Sequence, residues 1–337
     1  MIHCAEHVLI SRPGHLLGQA LHRQLLRLGH PPSHIHSGPL PDFGDARETR
    51  AFLEAVQPEQ VFLIAQDFNS SGLPGQPILP PERSADANLI RAAYLCGVRR
   101  LIYVTDARVY PGTSQQPMAE NLLLSALCPG TDDAAAQVQR HGLRLCESLT
   151  RDQGAEQRID FRAAVVGEVY GPVGRGDTAR RAGHSAGLVE RLLRQLIEAE
   201  ERRAPSLRLQ LSSNTPVAGD LLFCDDAAEA LVYLLELPRQ ALALAMPPGA
   251  QVDHINIGAG APISLSTLVT QACLTVGYSG EVHHVDKLDD AGSPQRWLDT
   301  RRLRELAWEP LIDLECGLEL TCMDLRLHNR AERGLVH

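Results

Sequence analysis

Lysine is almost missing from this chain: 32 residues are Lys or Arg, and Lys287 is the one lysine among them. None of the six tyrosines stands four residues before it. A phenol and an ammonium sharing one helical face, the pairing that depresses a tyrosine pKa for proton exchange, is therefore absent from the sequence. Surplus positive charge is absent too. Net charge is −9 and no basic run stands out, which speaks against nucleic acid or an anionic membrane as partner. The first residues form no basic-plus-apolar signal segment, and no stretch approaches the roughly 18 apolar residues of a spanning helix. A soluble, cytoplasmic protein is expected. The eight cysteines include no Cys-x-x-Cys pair and no histidine at finger spacing, so neither a disulfide framework nor a metal site is expected. His30, His34 and His36 fall in a proline-containing loop and read as solvated. No internal repeat is visible.

What is present is length, a 44% hydrophobic fraction and periodicity, enough for one large α/β domain with a lobe or for two domains. Val8-Leu9-Ile10 is an apolar run, residues 11–18 are a turn, and Leu17, Leu21, Leu25 and Leu28 recur at helical spacing. In a dinucleotide-binding unit such a turn is glycine-rich, because a pyrophosphate must approach the helix N-terminus. Counting back in threes from Gly18, the other two glycine positions hold His15 and Arg12. Gly14 is left to supply a positive φ in a rearranged turn. Ser11, Arg12, His15 and Gly18 are then either a remodelled cofactor site or an ordinary strand-to-helix turn.

A short strand near residues 34–36 ends without the acidic residue that would grip a ribose. Asp45 either contacts an adenine edge or caps the helix carrying Phe52, Leu53 and Val56. Strands at 61–65, 101–104 and 161–166 alternate with helices at 88–96 and 133–151, the latter capped by Asp133. That alternation implies parallel crossovers and a doubly wound α/β sheet. Beyond Gly176 the pattern gives helices at 188–203 and 263–276, a helix capped by Asp225-Asp226 and ending near Leu235, and a last helical segment from Leu303. Strands are expected at 207–211, 254–258 and 282–285.

Several pieces together carry a family resemblance: Gly18-Gln-Ala-Leu-His-Arg-Gln-Leu, Val109-Tyr-Pro with Gln116-Pro-Met-Ala-Glu, Leu145-Cys-Glu-Ser, Tyr170-Gly-Pro, Asp225-Asp226, Asn256-Ile-Gly-Ala-Gly, and Gly292-Ser-Pro with Leu298-Asp299. Over roughly residues 6 to 330 the chain resembles the extended short-chain dehydrogenase/reductases, the NAD-dependent epimerases and dehydratases. Within them it is most similar to the GDP-L-fucose synthases, which epimerise and reduce GDP-4-keto-6-deoxymannose with NADPH. The resemblance implies a Rossmann-like domain over 1–175, with segments returning near 212–230 and 252–262. It also implies a smaller, discontinuous C-terminal lobe, mainly 176–330, and a nucleotide sugar in the cleft between them. Dimerisation would use the helices at 84–96 and 134–151, whose apolar residues equally suit an intramolecular core.

The resemblance also implies a set of reactive side chains, and this chain departs from each. The tyrosine and lysine of the family's Tyr-x-x-x-Lys fall at Ala135 and Gln139. Its serine falls at Asp106 and its epimerising cysteine at Arg108. The acid/base histidine falls near Gly187, with His184 as the available substitute. The arginine that clamps the sugar diphosphate falls at Ala218 or Gly219. Glu168 replaces an asparagine and faces an already anionic ligand, where like charges oppose binding. Gln295 and Arg296 stand where the family has a substrate-side Arg-Lys pair.

Three functions fit this pattern. One is a catalytically inactive subunit, homodimeric or paired with an active family member, that supports or regulates a sugar-nucleotide or glycan enzyme without a nicotinamide cofactor. Another is an epimerase or reductase rebuilt around Asp106, Arg108, Tyr110 or His184, with NADP(H) if the cleft is competent. The third is a sensor that binds a nucleotide sugar through residues such as Glu168, Gln295 and Arg296. In the first and third, Asp45 and the Ser11–Gly18 turn are vestiges.

Overall fold

Apolar runs rich in β-branched residues form the centre of the molecule, and helices with one apolar stripe cover them. The computed structural model describes residues 6–66, 68, 80–111, 115–123, 134–151, 159–173, 187–209, 218–245, 254–283 and 296–332. The central sheet takes β1 (Val8–Ile10), β2 (Ile35–His36), β3 (Gln60–Ile64), β4 (Arg100–Asp106), β5 (Asp160–Val166) and β10 (His254–Ile257). Its order is β10-β5-β4-β3-β1-β2 and every pairing is parallel. Near-complete burial along these strands follows from both faces being covered.

Strand order reverses between β1 and β3. The chain leaves β1 through α1 (Leu16–Arg27) to β2 on one side, then returns through α2 (Ala46–Val56) to β3 on the other. Right-handed crossovers place α1 on one face of the sheet and α2, α3 (Ala85–Leu95) and α4 (Ala134–Arg151) on the opposite face. Consistent with this, α1 packs on α6 (Cys224–Glu236), while α2, α3 and α4 contact one another in a row. The result is a Rossmann-like doubly wound fold.

Shorter elements build the smaller C-terminal lobe. They are α5 (Leu188–Glu201), β7 (Ser206–Arg208), α7 (Arg239–Leu244), α8 (Leu265–Val276), β12 (Glu281–His283), α9 (Arg301–Glu305) and α10 (Leu314–Glu332), with α5, α8 and α10 packed together. Three two-stranded ladders accompany them: β12 with β7, β6 (Glu168–Tyr170) with β9 (Leu221–Phe223), and β11 (Ile263–Ser264) with β8 (Ala218–Gly219). Among the described residues no helix is long and apolar enough to cross a membrane.

Several local expectations change. Asp225 and Asp226 do not cap α6; Phe223 is the N-cap and both acids lie inside the first turn, where the helix dipole favours them. Asp225 pairs with Arg23 (2.6 Å) and Arg27 (3.1 Å) of α1, and Asp226 accepts the Ile312 N–H at 2.8 Å. The helix expected from Ile263 begins at Leu265, because Ser264 caps it through the Thr267 N–H and joins Ile263 in β11. β7 ends at Arg208, and β12 is described over Glu281–His283. Leu209 still donates its N–H to His283 O at 3.0 Å, while Asp133, Lys287 and residues 210–211 and 284–285 lie outside the described residues.

The histidines at the sheet's amino edge are not solvated. His30 is 3% exposed, and the half-buried His34 and His36 stack on His7 with ring centroids 4.5 and 5.2 Å apart. The parallel register of β1 and β2, with Val8 opposite Ile35 and Leu9 opposite His36, draws these rings together. Among the described residues no group of three or more His, Cys, Asp or Glu has a metal-holding arrangement.

Candidate functional site

In an open α/β sheet a ligand settles outside the carboxyl ends of the strands where their order reverses, here over β1 and β3. The β1–α1 turn is stitched across that crevice. The Ser11 N–H donates to Phe62 O (3.0 Å), and the Ser11 hydroxyl accepts from Ile64 N–H (3.0 Å). Arg12 Nη1 donates to the carbonyls of Ala65 (2.8 Å) and Gln66 (2.5 Å) beyond β3. Pro13 and Gly14 occupy the centre of a turn closed by His15 N–H to Arg12 O (3.0 Å). Gly14 is not among the residues with positive φ, so the turn needs no left-handed residue there.

His15 is the N-cap of α1. Its Nδ1 accepts the Leu17 N–H at 3.2 Å, which requires that nitrogen to be unprotonated, and its ring packs edge-on against the buried Phe68. Gly18 is required for a different reason than ligand approach: a Cβ there would stand 2.0 Å from the Arg12 carbonyl oxygen. Asp45 caps α2, its carboxylate accepting the N–H groups of Arg47 (2.7 Å) and Glu48 (3.1 Å), and these hold its pKa below the usual range.

The positions of the family's reactive groups meet at the end of β4. Asp106, 3% exposed, accepts the Arg108 N–H at 2.9 Å and caps the short 3-10 turn Ala107–Val109. The Arg108 side chain returns on it in a two-pronged ion pair, Nε at 2.9 Å and Nη2 at 2.7 Å. From α4, the fully buried Gln139 donates to Asp106 Oδ2 and accepts the Asp106 N–H, each at 3.3 Å. Ala135 lies one turn earlier on the same helical face.

Asp106 is thus held by a cation, an amide and its own turn. Tyr110 lies in a buried polar network. Its hydroxyl is sealed inside, donating to Asn256 Oδ1 (2.6 Å) with His254 Nε2 at 3.1 Å, and burial followed by the charge of Glu120 pushes the phenol well above its usual pKa. His184 lies outside the described residues.

Glu168 meets the start of a helix. Its carboxylate accepts the Leu188 N–H at 3.2 Å, at the first residue of α5, a helix N-terminus that favours negative charge. Burial raises its pKa, and the nearby Asp106 charge adds to that. Arg296 forms a parallel bridge to Gly219, and its carbonyl accepts the Asp220 N–H at 3.2 Å. The structure therefore brings Asp106, Arg108 and Gln139 together, Glu168 to the edge of Gly187, and Arg296 to Gly219. Gln295 is outside the described residues.

Sequence reasoning missed the supports behind these positions. The buried Asp86 accepts both the Gln66 N–H (3.2 Å) and the Tyr103 hydroxyl (2.8 Å), linking the crevice to α3 and β4. Asp220 accepts the N–H groups of Ala259 (2.6 Å) and Leu298 (3.2 Å). Neither aspartate sits in a spacing that marks it.

The sequence pattern of the NAD dependent epimerase/dehydratase family matches residues 15–258. The chain belongs to this family. Among its relatives in the family, the GDP-L-fucose synthase of Escherichia coli (strain K12) is 28% identical over 321 residues, covering 94% of this chain and 95% of that one. The GDP-L-fucose synthase of Sinorhizobium fredii is 28% identical over 282 residues, 82% of each chain. A GDP-L-fucose synthetase from Naegleria fowleri bound to NADP superimposes with a TM-score of 0.75 at 15% identity, covering 100% of this chain and 97% of that one. A GDP-mannoheptose C4 reductase from Campylobacter jejuni with NADP bound gives 0.73 at 18% identity, covering 97% and 100%.

The homologues are thus nucleotide-sugar reductases and epimerases of a family described as NAD dependent, and the fold is that of the extended short-chain dehydrogenase/reductases. The residues of this chain do not fit a dinucleotide pyrophosphate. Side chains occupy two glycine positions, one α1 amide already has an imidazole acceptor, and a guanidinium ties the two strand ends.

Proposed function

We propose that this chain is a catalytically silent member of the nucleotide-sugar reductase/epimerase family. It serves in the cytoplasm as a subunit that supports or regulates an active sugar-nucleotide or glycan enzyme, and no nicotinamide cofactor takes part. The observation that carries the reading is the closed arrangement of Asp106, Arg108 and Gln139. Where a reductase of this family needs a hydroxyl and an ammonium beside its substrate carbonyl, these side chains bond to one another and the methyl side chain of Ala135 carries no acidic proton. Losing one positioned acid/base group costs on the order of 10²–10⁴ in rate, and here both are replaced. Docking through α3 and α4, with a second copy or an active relative, belongs to the same proposal.

The decisive experiment incubates the purified protein with GDP-4-keto-6-deoxymannose and NADPH, following NADPH oxidation and the sugar product. We expect no turnover above the protein-free blank. Turnover that Asp106→Ala abolishes would establish the rebuilt-enzyme reading instead. Recovery of the native protein always alone and monomeric would remove the subunit role.

A second reading, a nucleotide-sugar sensor, draws on Arg296 standing beside Gly219. Titration with GDP and GDP-sugars separates it from the first, since saturation without turnover is its signature.

A further inference from the structure

The crevice over β1 and β3 is where an open sheet of this order takes its ligand, and a phosphate there would use the free N–H groups and positive end of α1. In this chain two of the N–H groups at that end are already engaged by protein groups. The Leu17 N–H goes to His15 Nδ1, and the His15 N–H goes to the Arg12 carbonyl. Arg12 crosses from the end of β1 to the carbonyls of Ala65 and Gln66, so its charge is met by backbone dipoles. The imidazole is pinned by Phe68, and the Gln66 peptide by the buried Asp86. Gly18 keeps α1 pressed against Arg12, which fixes the turn from below.

We infer that this crevice is filled from within: the Arg12 and His15 side chains plug the dinucleotide position, and these two residues, not a failure of the surrounding fold, bar a pyrophosphate. The plug is two-part. Arg12 ties the strand ends across the opening, and His15 both fills the second glycine position and takes an amide that a phosphate oxygen would use. The remaining elements are in place, because the strand order, α1 and the close approach at Gly18 are those a dinucleotide-binding unit needs.

Calorimetric titration of NADPH into the full-length protein and into two double variants tests this. Arg12→Gly/His15→Gly removes both parts of the plug. Arg12→Gly/His15→Ser removes the bulk but keeps an N-cap acceptor, so that α1 stays capped if the first variant fails to fold. We expect no saturation of the wild-type protein at millimolar NADPH and at least a tenfold tighter association for a double variant that still melts cooperatively. Saturation of the wild type well below millimolar overturns the inference, the more plainly if Arg12→Ala then weakens binding and marks Arg12 as a phosphate ligand. A folded Arg12→Gly/His15→Ser variant that binds no better than wild type overturns it as well.

Resting on the silent-subunit reading, the plug is still tested apart from it. NADPH that binds the wild type but is never oxidised sinks the plug and spares the reading, whereas turnover sinks the reading.

Discussion

Gly142 stands in the middle of α4, where alanine is the better helix former by about 1 kcal/mol. Packing overrides that preference. A Cβ at this position would lie 2.4 Å from the ring of Tyr103 on β4, and the ring has nowhere to go: it is fully buried and its hydroxyl donates to Asp86 at 2.8 Å. Overpacking a filled core costs about 1–3 kcal/mol, so Gly142→Ala is expected to lower stability by about 1–2 kcal/mol despite the gain in helix propensity. Urea unfolding measures it. A midpoint at or above that of wild type would mean that the ring yields. Gly18 obeys the same logic, so its survival in a turn stripped of its other two motif glycines reports contact between α1 and Arg12 and says nothing of a ligand.

At the scale of elements, regular periodicity made the sheet legible. The leucine stripe of α1 and the short apolar runs of β1, β3, β4 and β5 announced themselves because each depends on residues close in sequence. Substitutions at Asp106, Arg108 and Gln139 were also visible, but not that they bond to one another, since Gln139 reaches Asp106 from 33 residues away. The ladder of β6 with β9 escaped for a like reason: Glu168 pairs with Leu221 across the chain and neither run alternates cleanly.

The histidine corner was misread because composition cannot reveal the register that stacks it. His36 is depressed below its ordinary pKa, first by burial and then by the charges of His7 and His34; His30 is depressed by burial against the opposing pull of Glu236 and Glu6. Glu59 receives the His7 N–H, and Arg99 and Arg100 pair with Glu6, just before β1, and Glu236, at the end of α6. A base whose folded pKa is lowered stabilises fully above its unfolded pKa of 6.5, and that contribution fades as pH falls below it. Through these histidines the wild type therefore loses stability between pH 7 and about pH 5, and the loss is read as its melting temperature relative to that of His36→Gln. His36→Gln should drop less over the same interval; parallel curves would show that the stack carries no coupled titration.

The molecule holds together through polar groups buried where the lobe's segments return to the sheet. The fully buried Asn256 uses its amide completely, accepting from Tyr110 and donating to the carbonyls of Met118 (2.8 Å) and Asp299 (3.2 Å). Asp220 does more, because its backbone joins β6 to Arg296 while its carboxylate gathers Ala259 and Leu298. Gly167 and Gly258 are pressed so closely on it that neither tolerates a Cβ.

Burial pushes the Asp220 carboxyl up to about 6 from 3.8, against the pull of the backbone N–H groups it accepts. A carboxyl whose folded pKa is raised binds its proton more tightly in the folded state, so acidification from pH 6 toward 4 adds stability through this group. His254, buried and depressed to about 3, works the other way and withdraws stability below pH 6.5. Because the two oppose each other, the wild-type pH curve alone is uninformative, and the difference between wild type and Asp220→Asn isolates the carboxyl. That difference should shift in favour of the wild type by about 2 kcal/mol as pH falls from 7 to about 4, in urea unfolding at matched ionic strength. A difference constant with pH would mean that Asp220 titrates as an ordinary aspartate and that the junction between lobe and sheet is open to water.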